Sequence, residues 1–122
     1  MRIAVRVPVG SYTSSEVLRL AGITYRQLDY WAGLGLIRWD SYDDGSVREA
    51  GPGSGRRRCW STAEVRVAYA VRATDVQPSS LLARRLADHV RQWGLHGSIV
   101  TGVRGCWRLN LEALPDPLEL EL

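Results

Sequence analysis

Two short stretches of this 122-residue chain concentrate guanidinium and phenol groups that can contact an anionic or hydrogen-bonding partner. The first contains Tyr25, Arg26 and Tyr30, and the second is the arginine run Arg56–Arg58. Arginine donates paired hydrogen bonds to phosphate groups and to the guanine edge, so it suits nucleic-acid contact better than lysine does. These residue types therefore indicate nucleic-acid binding, provided that the elements carrying them place them on one surface.

Residues 24–34 have the pattern of an amphipathic helix. Leu28 and Trp31 fall on one face at helical spacing, and polar residues fall on the opposite face. Thr24 is followed three residues later by Gln27, which is the spacing of a capping box at a helix start. A helix with such a polar outer face suits insertion into a DNA major groove, which is wide enough to admit it.

A second short helix is predicted directly before this one. Thr13 and Glu16 have the spacing of another capping box, Gly22 ends the helix, and Ile23 fills the turn before residue 24. Two short helices joined by a turn with a glycine and a core isoleucine predict a helix-turn-helix. An ordinary pair of packed helices would show the same capping signals, so this segment alone leaves both interpretations open.

The following segment predicts a hairpin with a long tip, which is a wing. Residues 36–39 and 56–60 have the composition of strands, and the loop between them is rich in glycine, serine and acidic residues. Arg38 lies in the first strand, and the arginine run lies at the base of the second. Beside a groove-reading helix these arginines would neutralise phosphates and set the register. A solvated face is the alternative explanation for an arginine run.

The remaining patterns predict an edge strand, two more helices, a terminal hairpin and an acidic tail. His89 shares the apolar stripe of the second of these helices, so we expect a hydrogen-bonded core or interface histidine. The tail is expected to be either disordered or an added strand. The edge strand is predicted over 2–9, and a capping box at Ser61 and Glu64 opens a helix to about Arg72. The next helix is predicted over 79–93, with Pro78 at its first turn and with Leu82, Leu86, Val90 and Trp93 pointing inward. The hairpin strands are predicted at 99–103 and 107–111, and the tail is residues 114–122.

Together these elements predict an α+β protein, a winged helix-turn-helix with an additional helix and a C-terminal β-hairpin. We divide the chain into a DNA-binding domain over residues 1–75 and a dimerisation or partner-binding segment over residues 76–122. No apolar run approaches the roughly 18–20 residues of a membrane span, so we expect a cytoplasmic, nucleoid-associated protein. The two cysteines lack the spacing of a zinc site, and we expect neither a metal nor another cofactor.

Charge is distributed unevenly along the chain, although the formal net charge is only +3. Residues 1–109 hold all 16 arginines and 9 acidic residues, whereas residues 110–122 hold 4 acidic residues and no base. A basic body with an acidic tail is consistent with a nucleic-acid partner. Mildly basic proteins without such a partner are also common.

Residues 12–72 resemble the winged helix-turn-helix of the MerR family of bacterial regulators. The resemblance implies that Tyr25 and Arg26 approach base edges and phosphates, that Tyr30 holds the DNA backbone and that the three wing arginines clamp phosphates. The matching segments are Tyr12–Val17, Ala21–Trp31, Gly35–Ile37 and Gly53–Ser61, followed by Glu64 and Val65. The DNA-binding set is Thr24, Tyr25, Arg26, Tyr30, Arg38, Arg56, Arg57 and Arg58.

The chain departs from the family pattern at several places, among them Ala32 and Gly33, where many members carry Glu-Arg, and a wing that is long for the family. Asp29 stands where many members carry arginine, and we expect it to pair with Arg26 across one turn or to accept from a cytosine amine. The long coiled coil through which sensing members of the family dimerise is missing, because no heptad run is present. If the chain dimerises, the candidate elements are the 79–93 helix, the terminal hairpin and the tail.

The leading hypothesis is a sequence-specific transcriptional regulator of bacterial or phage origin that is not an enzyme. Its expected partners are double-stranded DNA, further copies of the chain in a dimer or a cooperative array, and RNA polymerase. One alternative is an excisionase-like architectural factor that bends DNA. A second alternative, from another class, is a protein-interaction module that docks through residues 94–122.

Overall fold

The computed structural model describes residues 11–42, 57–101 and 107–119. The predicted strand over 2–9, the wing tip, Arg56 and the turn at residues 104–105 lie outside these residues. The described part is an α+β structure with two small sheets. Its elements are β1 (Ser11–Thr13), α1 (Ser14–Ala21), α2 (Tyr25–Gly33), β2 (Trp39–Tyr42), β3 (Arg58–Ser61), α3 (Thr62–Thr74), α4 (Leu81–Trp93), β4 (Ser98–Thr101), β5 (Trp107–Asn110) and a 3-10 turn (Leu111–Ala113).

Both capping boxes of the helix-turn-helix are present. The Thr13 hydroxyl accepts from the Glu16 backbone N–H at 3.2 Å, and the Glu16 carboxylate accepts from the Thr13 N–H at 3.0 Å. Thr24 and Gln27 make the same reciprocal pair at 3.1 and 2.9 Å. Each box satisfies backbone donors that have no partner within a helix, so both helix starts are determined locally.

The turn between α1 and α2 is held from outside by α3. Gly22 has a φ of 72°, and its N–H donates to the Leu18 carbonyl. A Cβ at Gly22 would lie 3.0 Å from Nε of Arg72, and that Nε donates to the Ala21 carbonyl at 2.7 Å. Glycine is therefore required here both for the left-handed backbone and for the close approach of the arginine.

The first sheet has the strand order β1–β3–β2, and both pairings are antiparallel. Trp60 of the central strand lies opposite Tyr12 on one side and Trp39 on the other. The first wing strand was predicted at residues 36–39, but β2 begins only at Trp39. The Leu36 N–H still donates to the Trp31 carbonyl, so the chain follows the end of α2 before it becomes extended.

The capping box predicted at the start of α3 is wrong. Ser61 occupies the N-cap position without a side-chain capping bond. The Glu64 carboxylate instead accepts from the Arg38 backbone N–H at 2.7 Å and from Arg91 at 2.8 Å. Glu64 is 7% exposed, so a residue predicted to cap a helix at the surface is a buried charge.

Helix α3 is the centre of the hydrophobic core. It packs against both α1 and α4, and its own residues are buried on several faces of the helix. The sequence predicted Val65, Ala68 and Tyr69 as its inner face, and they are buried together with Val67 and Val71. One hydrophobic cluster contains residues from both sides of the predicted boundary at residue 75. The division into two domains stays a prediction.

Helix α4 begins later than predicted and buries fewer of the predicted residues. Ser80 is its N-cap and accepts from the Ala83 N–H at 3.1 Å, so Pro78 lies before the helix and not in its first turn. Trp93, predicted to point inward, is 59% exposed. The chain turns at Gly94, and Leu95 enters the core directly after it.

Strands β4 and β5 form the predicted antiparallel hairpin, from the pair Ser98–Asn110 to the pair Thr101–Trp107. His89 is half-buried, and its Nε2 lies 2.7 Å from the His96 carbonyl oxygen, as expected for a hydrogen-bonded histidine. None of the helices in the described ranges is both long and apolar enough to cross a membrane.

The described part of the tail, up to residue 119, is neither disordered nor a strand. Asp116 forms an ion pair with Arg66 of α3 at 3.0 Å. The leucine–glutamate alternation at residues 118–122, which favoured an added strand, lies mostly outside the described residues. In the described part, Leu114 and Leu118 are partly buried against the body of the protein.

Candidate nucleic-acid interface

An open groove of about 550 Å³ lies where the starts of α1 and α2 meet strand β3. Its walls combine hydroxyl groups with guanidinium groups, which are the side chains that commonly bind phosphate oxygens and base edges. The lining residues are Thr13, Ser14, Ser15, Tyr25, Arg57 and Arg58. They come from α1, α2 and β3 or the residues beside them, and none of them belongs to the described strands of the terminal hairpin, 98–101 and 107–110.

Arg58 makes several contacts within the groove. Its Nη1 lies 3.4 Å from Oδ1 of Asp29, and its Nη2 donates to the Tyr25 hydroxyl at 3.2 Å. Its Cζ lies 5.8 Å from the ring centre of Tyr25 and 5.3 Å from that of Trp60, within the range of cation–π contact. Contacts with both α2 and β3 therefore hold this arginine in a defined position.

Trp60 contributes to the position of Arg58. Its side chain is fully buried, and its indole N–H donates to the Ser14 hydroxyl at 3.0 Å. This bond joins β3 to the start of α1, and the ring of the same residue makes the cation–π contact with Arg58. The sequence did not indicate this role, because Ser14 and Trp60 are 46 positions apart.

The two predicted faces of α2 are those observed. Leu28 and Trp31 are buried, whereas Tyr25 and Tyr30 are 58% and 54% exposed. Arg26 is also exposed. The outer face of α2 is thus available to a partner along its whole length.

Asp29 has a partner that the sequence did not predict. The expected partners were Arg26, one turn earlier in the helix, or a cytosine amine. The structure pairs Asp29 with Arg58 of β3, and the carboxylate remains 68% exposed. The ion pair therefore joins the exposed face of α2 to the base of the wing.

The other predicted DNA-binding residues occupy different surroundings. The Thr24 hydroxyl is used by the cap of α2. Arg57 is exposed beside Arg58 in the groove. Arg38 is exposed too, but it lines a separate cavity of about 210 Å³ together with Arg84 and Arg91. The structure brings Tyr25, Arg57 and Arg58 together and places Arg38 elsewhere.

A buried ion pair connects this region to α4. Arg91 donates through Nε and Nη2 to both oxygens of Glu64 at 2.8 Å, and Nη2 also donates to the Leu36 carbonyl at 2.6 Å. The hydrogen bonds that Arg91 donates to the Glu64 carboxylate raise the pKa of Arg91 above its ordinary value, against the opposing effect of burial. The pair holds the segment between α2 and β2 against α4, and no sequence motif indicated it.

No cluster of three or more histidine, cysteine, aspartate or glutamate side chains able to hold a metal is present in ranges 11–42, 57–101 and 107–119. The described hydroxyl and guanidinium groups of the groove are instead donors suited to an anionic partner.

Comparison with known proteins gives relatives of one kind. Proteins named HTH-type transcriptional regulators in Mycobacterium bovis and in two strains of Mycobacterium tuberculosis are 39% identical to the chain over 85 residues. The alignment covers 69% of this chain and 35% of each relative, so the chain spans about a third of their length. No family model and no solved structure matches. Over about two thirds of its length, the chain is thus similar to mycobacterial helix-turn-helix regulators.

Proposed function

We propose that this chain is a DNA-binding transcriptional regulator whose residues 12–72 form a winged helix-turn-helix of the MerR type. Helix α2 enters the major groove, and the base of the wing contacts the DNA beside it. One observation carries this proposal. Tyr25 of α2 lines the same groove as Arg57 and Arg58 at the start of β3, and Arg58 joins the two elements through Tyr25 and Asp29.

Each residue has a proposed role that follows from its position. Tyr25 and Arg26 lie in the first turn of α2, where a recognition helix contacts base edges and phosphates. Tyr30 is exposed one turn further along and contacts the backbone. Arg57 neutralises a phosphate at the wing, and Arg56 is proposed to do the same. Thr24 contributes by beginning the helix.

The relatives support regulation of transcription, since their names state that activity. We propose that the chain acts in the cytoplasm as a dimer or a cooperative array, with RNA polymerase as a further partner. Trp93 and Val100 are exposed apolar residues of α4 and β4, respectively, and are suited to contact between copies. Binding stoichiometry separates a regulator from an architectural factor: the first occupies two half-sites, and the second coats long DNA and bends it.

The test is selection of bound duplexes from a random pool, followed by footprinting and a salt titration of the selected site. A preferred sequence and a steep salt dependence are expected, with the logarithm of affinity falling by about 0.9 per neutralised phosphate for each unit of log salt. A weak interaction with a flat salt response would contradict DNA binding and favour a protein-interaction module.

A further inference from the structure

An acidic residue on the exposed face of a DNA-binding helix requires an explanation. Asp29 is 68% exposed on α2, on a surface that faces a polyanion in the proposed complex. A free carboxylate there repels phosphates and lowers the affinity for every DNA sequence. Exposed ion pairs add little to folding stability, so stability alone does not account for this residue.

The geometry of Arg58 gives the explanation. Nη1 of Arg58 pairs with the Asp29 carboxylate, and Nη2 donates to the Tyr25 hydroxyl. The rings of Tyr25 and Trp60 lie within cation–π distance of the guanidinium. The contacts to Asp29 and to the Tyr25 hydroxyl use two of the five N–H groups of an arginine, so others remain to donate. Only 18% of the Arg58 side chain is exposed, so its rotamer is set before any partner arrives. A guanidinium oriented in advance loses less conformational freedom when it binds.

We propose that Asp29 and Arg58 together recognise one G·C base pair in the major groove. Arg58 donates to O6 and N7 of guanine, and the second carboxylate oxygen of Asp29 accepts from N4 of the paired cytosine. This inference rests on the proposed DNA-binding function and changes the role of Arg58 from phosphate contact to base contact. Asp29 is then both a positioning residue for Arg58 and a specificity residue.

The chemistry of the pair favours a base over a phosphate. A phosphate group presents acceptors only, so an adjacent carboxylate opposes its binding. A G·C pair presents two acceptors on guanine and one donor on cytosine along the same groove edge. A donor fork beside an acceptor is complementary to that edge. The carboxylate of the exposed Asp29 side chain and the remaining donors of Arg58 supply this combination from α2 and β3.

The experiment begins with the site that the wild-type chain selects from a random pool. Binding of four single variants, Asp29→Ala, Asp29→Asn, Arg58→Ala and Arg57→Ala, and of the double variant Asp29→Ala/Arg58→Ala is then measured. The duplexes are that site, each single base-pair change of it and an unrelated sequence. Arg57→Ala is the matched control, because it removes a neighbouring groove arginine that has no part in the pair.

For Asp29→Ala we expect a loss of about 10-fold in discrimination at one G·C pair, within the range of a bidentate base contact. Affinity for the unrelated duplex is expected to stay the same or to rise, because a repulsive charge is removed. Arg58→Ala is expected to lose discrimination at the same base pair, and the double variant should lose little more. Arg57→Ala is expected to weaken all duplexes alike.

Three results would overturn the inference, and a fourth would overturn the proposed function beneath it. Asp29→Ala binding all duplexes more tightly with unchanged preference would make Asp29 a simple repulsive charge. Arg58→Ala behaving like Arg57→Ala would make Arg58 a phosphate contact. Additive losses in the double variant would separate the two residues. A wild-type chain without any preferred sequence would remove the DNA-reading function itself.

Circular dichroism checks that each variant folds. If Asp29→Ala does not fold, Asp29→Asn, which keeps the side-chain shape, replaces it.

Discussion

Charged side chains in this protein differ in their tasks according to depth. Glu64 is buried and satisfied by Arg91 and by the Arg38 backbone, so it links three segments of the fold. Asp29 forms its ion pair at the surface, and its side chain remains 68% exposed. The same carboxylate chemistry therefore stabilises the structure at one position and is available to a ligand at another.

Removing the buried carboxylate charge tests the first of these tasks. Glu64→Gln removes the negative charge that faces the Arg91 guanidinium, and breaking a buried ion pair costs up to about 3–5 kcal/mol. The measurement is the free energy of unfolding in urea. Asp88→Ala is the control, since Asp88 contacts the same arginine at 3.5 Å but is 77% exposed, and we expect a loss of no more than about 1 kcal/mol. Equal effects would show that burial does not distinguish the two pairs.

The contribution of the Glu64–Arg91 ion pair to folding stability is expected to persist at moderately alkaline pH. The raised pKa of Arg91 means that its contribution to stability is complete below the ordinary arginine pKa and is lost as the pH rises from there through the raised pKa. We therefore expect no change in unfolding free energy from this arginine between about pH 7 and pH 10, where ordinary arginines also stay charged. Urea unfolding of the wild type and of Arg91→Met at both pH values measures it. A pH-dependent difference between the two would contradict the assignment.

Arg26 tests base contact by an exposed residue of α2. Arg26→Ala is expected to cost about 1–3 kcal/mol of binding free energy and to relax preference at one base position. The measurement is binding to the selected site and to its single base-pair changes. Arg84→Ala, which removes an exposed arginine of α4, is the matched control and should leave the preference unchanged. An unaltered preference in Arg26→Ala would place this arginine outside the base contacts.

At the scale of elements, α2 separates packing from contact by its two faces. Trp31 is 4% exposed, whereas Tyr30 beside it in sequence is 54% exposed. Trp31→Ala is expected to cost about 3–5 kcal/mol of folding free energy, because a large buried ring is lost. Tyr30→Ala is expected to change stability by no more than about 0.5 kcal/mol and to weaken DNA binding. Urea unfolding and a binding titration separate the two effects, and a stable Trp31→Ala chain would mean that the faces are reversed.

Strand β3 is the central strand of its sheet and pairs with a neighbour on both sides. Arg57 directly precedes that strand and lines the groove. Removing one phosphate contact lowers the slope of log affinity against log salt by about 0.9, and this is the expected effect of Arg57→Ala. A salt titration on selected and unrelated duplexes measures it, and an unchanged slope on both would exclude a phosphate contact.

At the scale of the whole molecule, α4 and the terminal hairpin belong to the same hydrophobic cluster as the helix-turn-helix. Leu86, Val90 and Leu111 lie in this cluster with Leu28 and Trp31. The surface that faces DNA in our proposal is thus supported from behind by the second half of the chain. Packing of α3 between α1 and α4 provides the connection.

This arrangement predicts the behaviour of a fragment. Residues 1–75 include α3 but lack α4, which covers one of its buried faces. We expect this fragment to show no cooperative thermal transition, whereas the full chain shows a single one. Circular dichroism during heating measures both. A cooperative transition in the fragment would establish residues 1–75 as an independently folding domain.

Local chemistry made several elements predictable from the sequence. The caps at Thr13 and Thr24 connect residues three positions apart, and the faces of α2 follow from helical spacing. The same local patterns misled at Ser61 and at Pro78. There, Glu64 had a stronger partner elsewhere in the chain, and Ser80 provided the cap instead.

The sequence by itself determined two capped helices, the turn between them and which side of α2 is exposed, because these depend on neighbours within one or two turns. Only the tertiary structure decided that Asp29 meets Arg58 and that Glu64 meets Arg91. These partners are 29 and 27 positions apart, and packing of α2 beside β3 and of α3 against α4 brings them together. The sequence identifies which residues carry a carboxylate, but the partner of each carboxylate depends on the packing of distant elements.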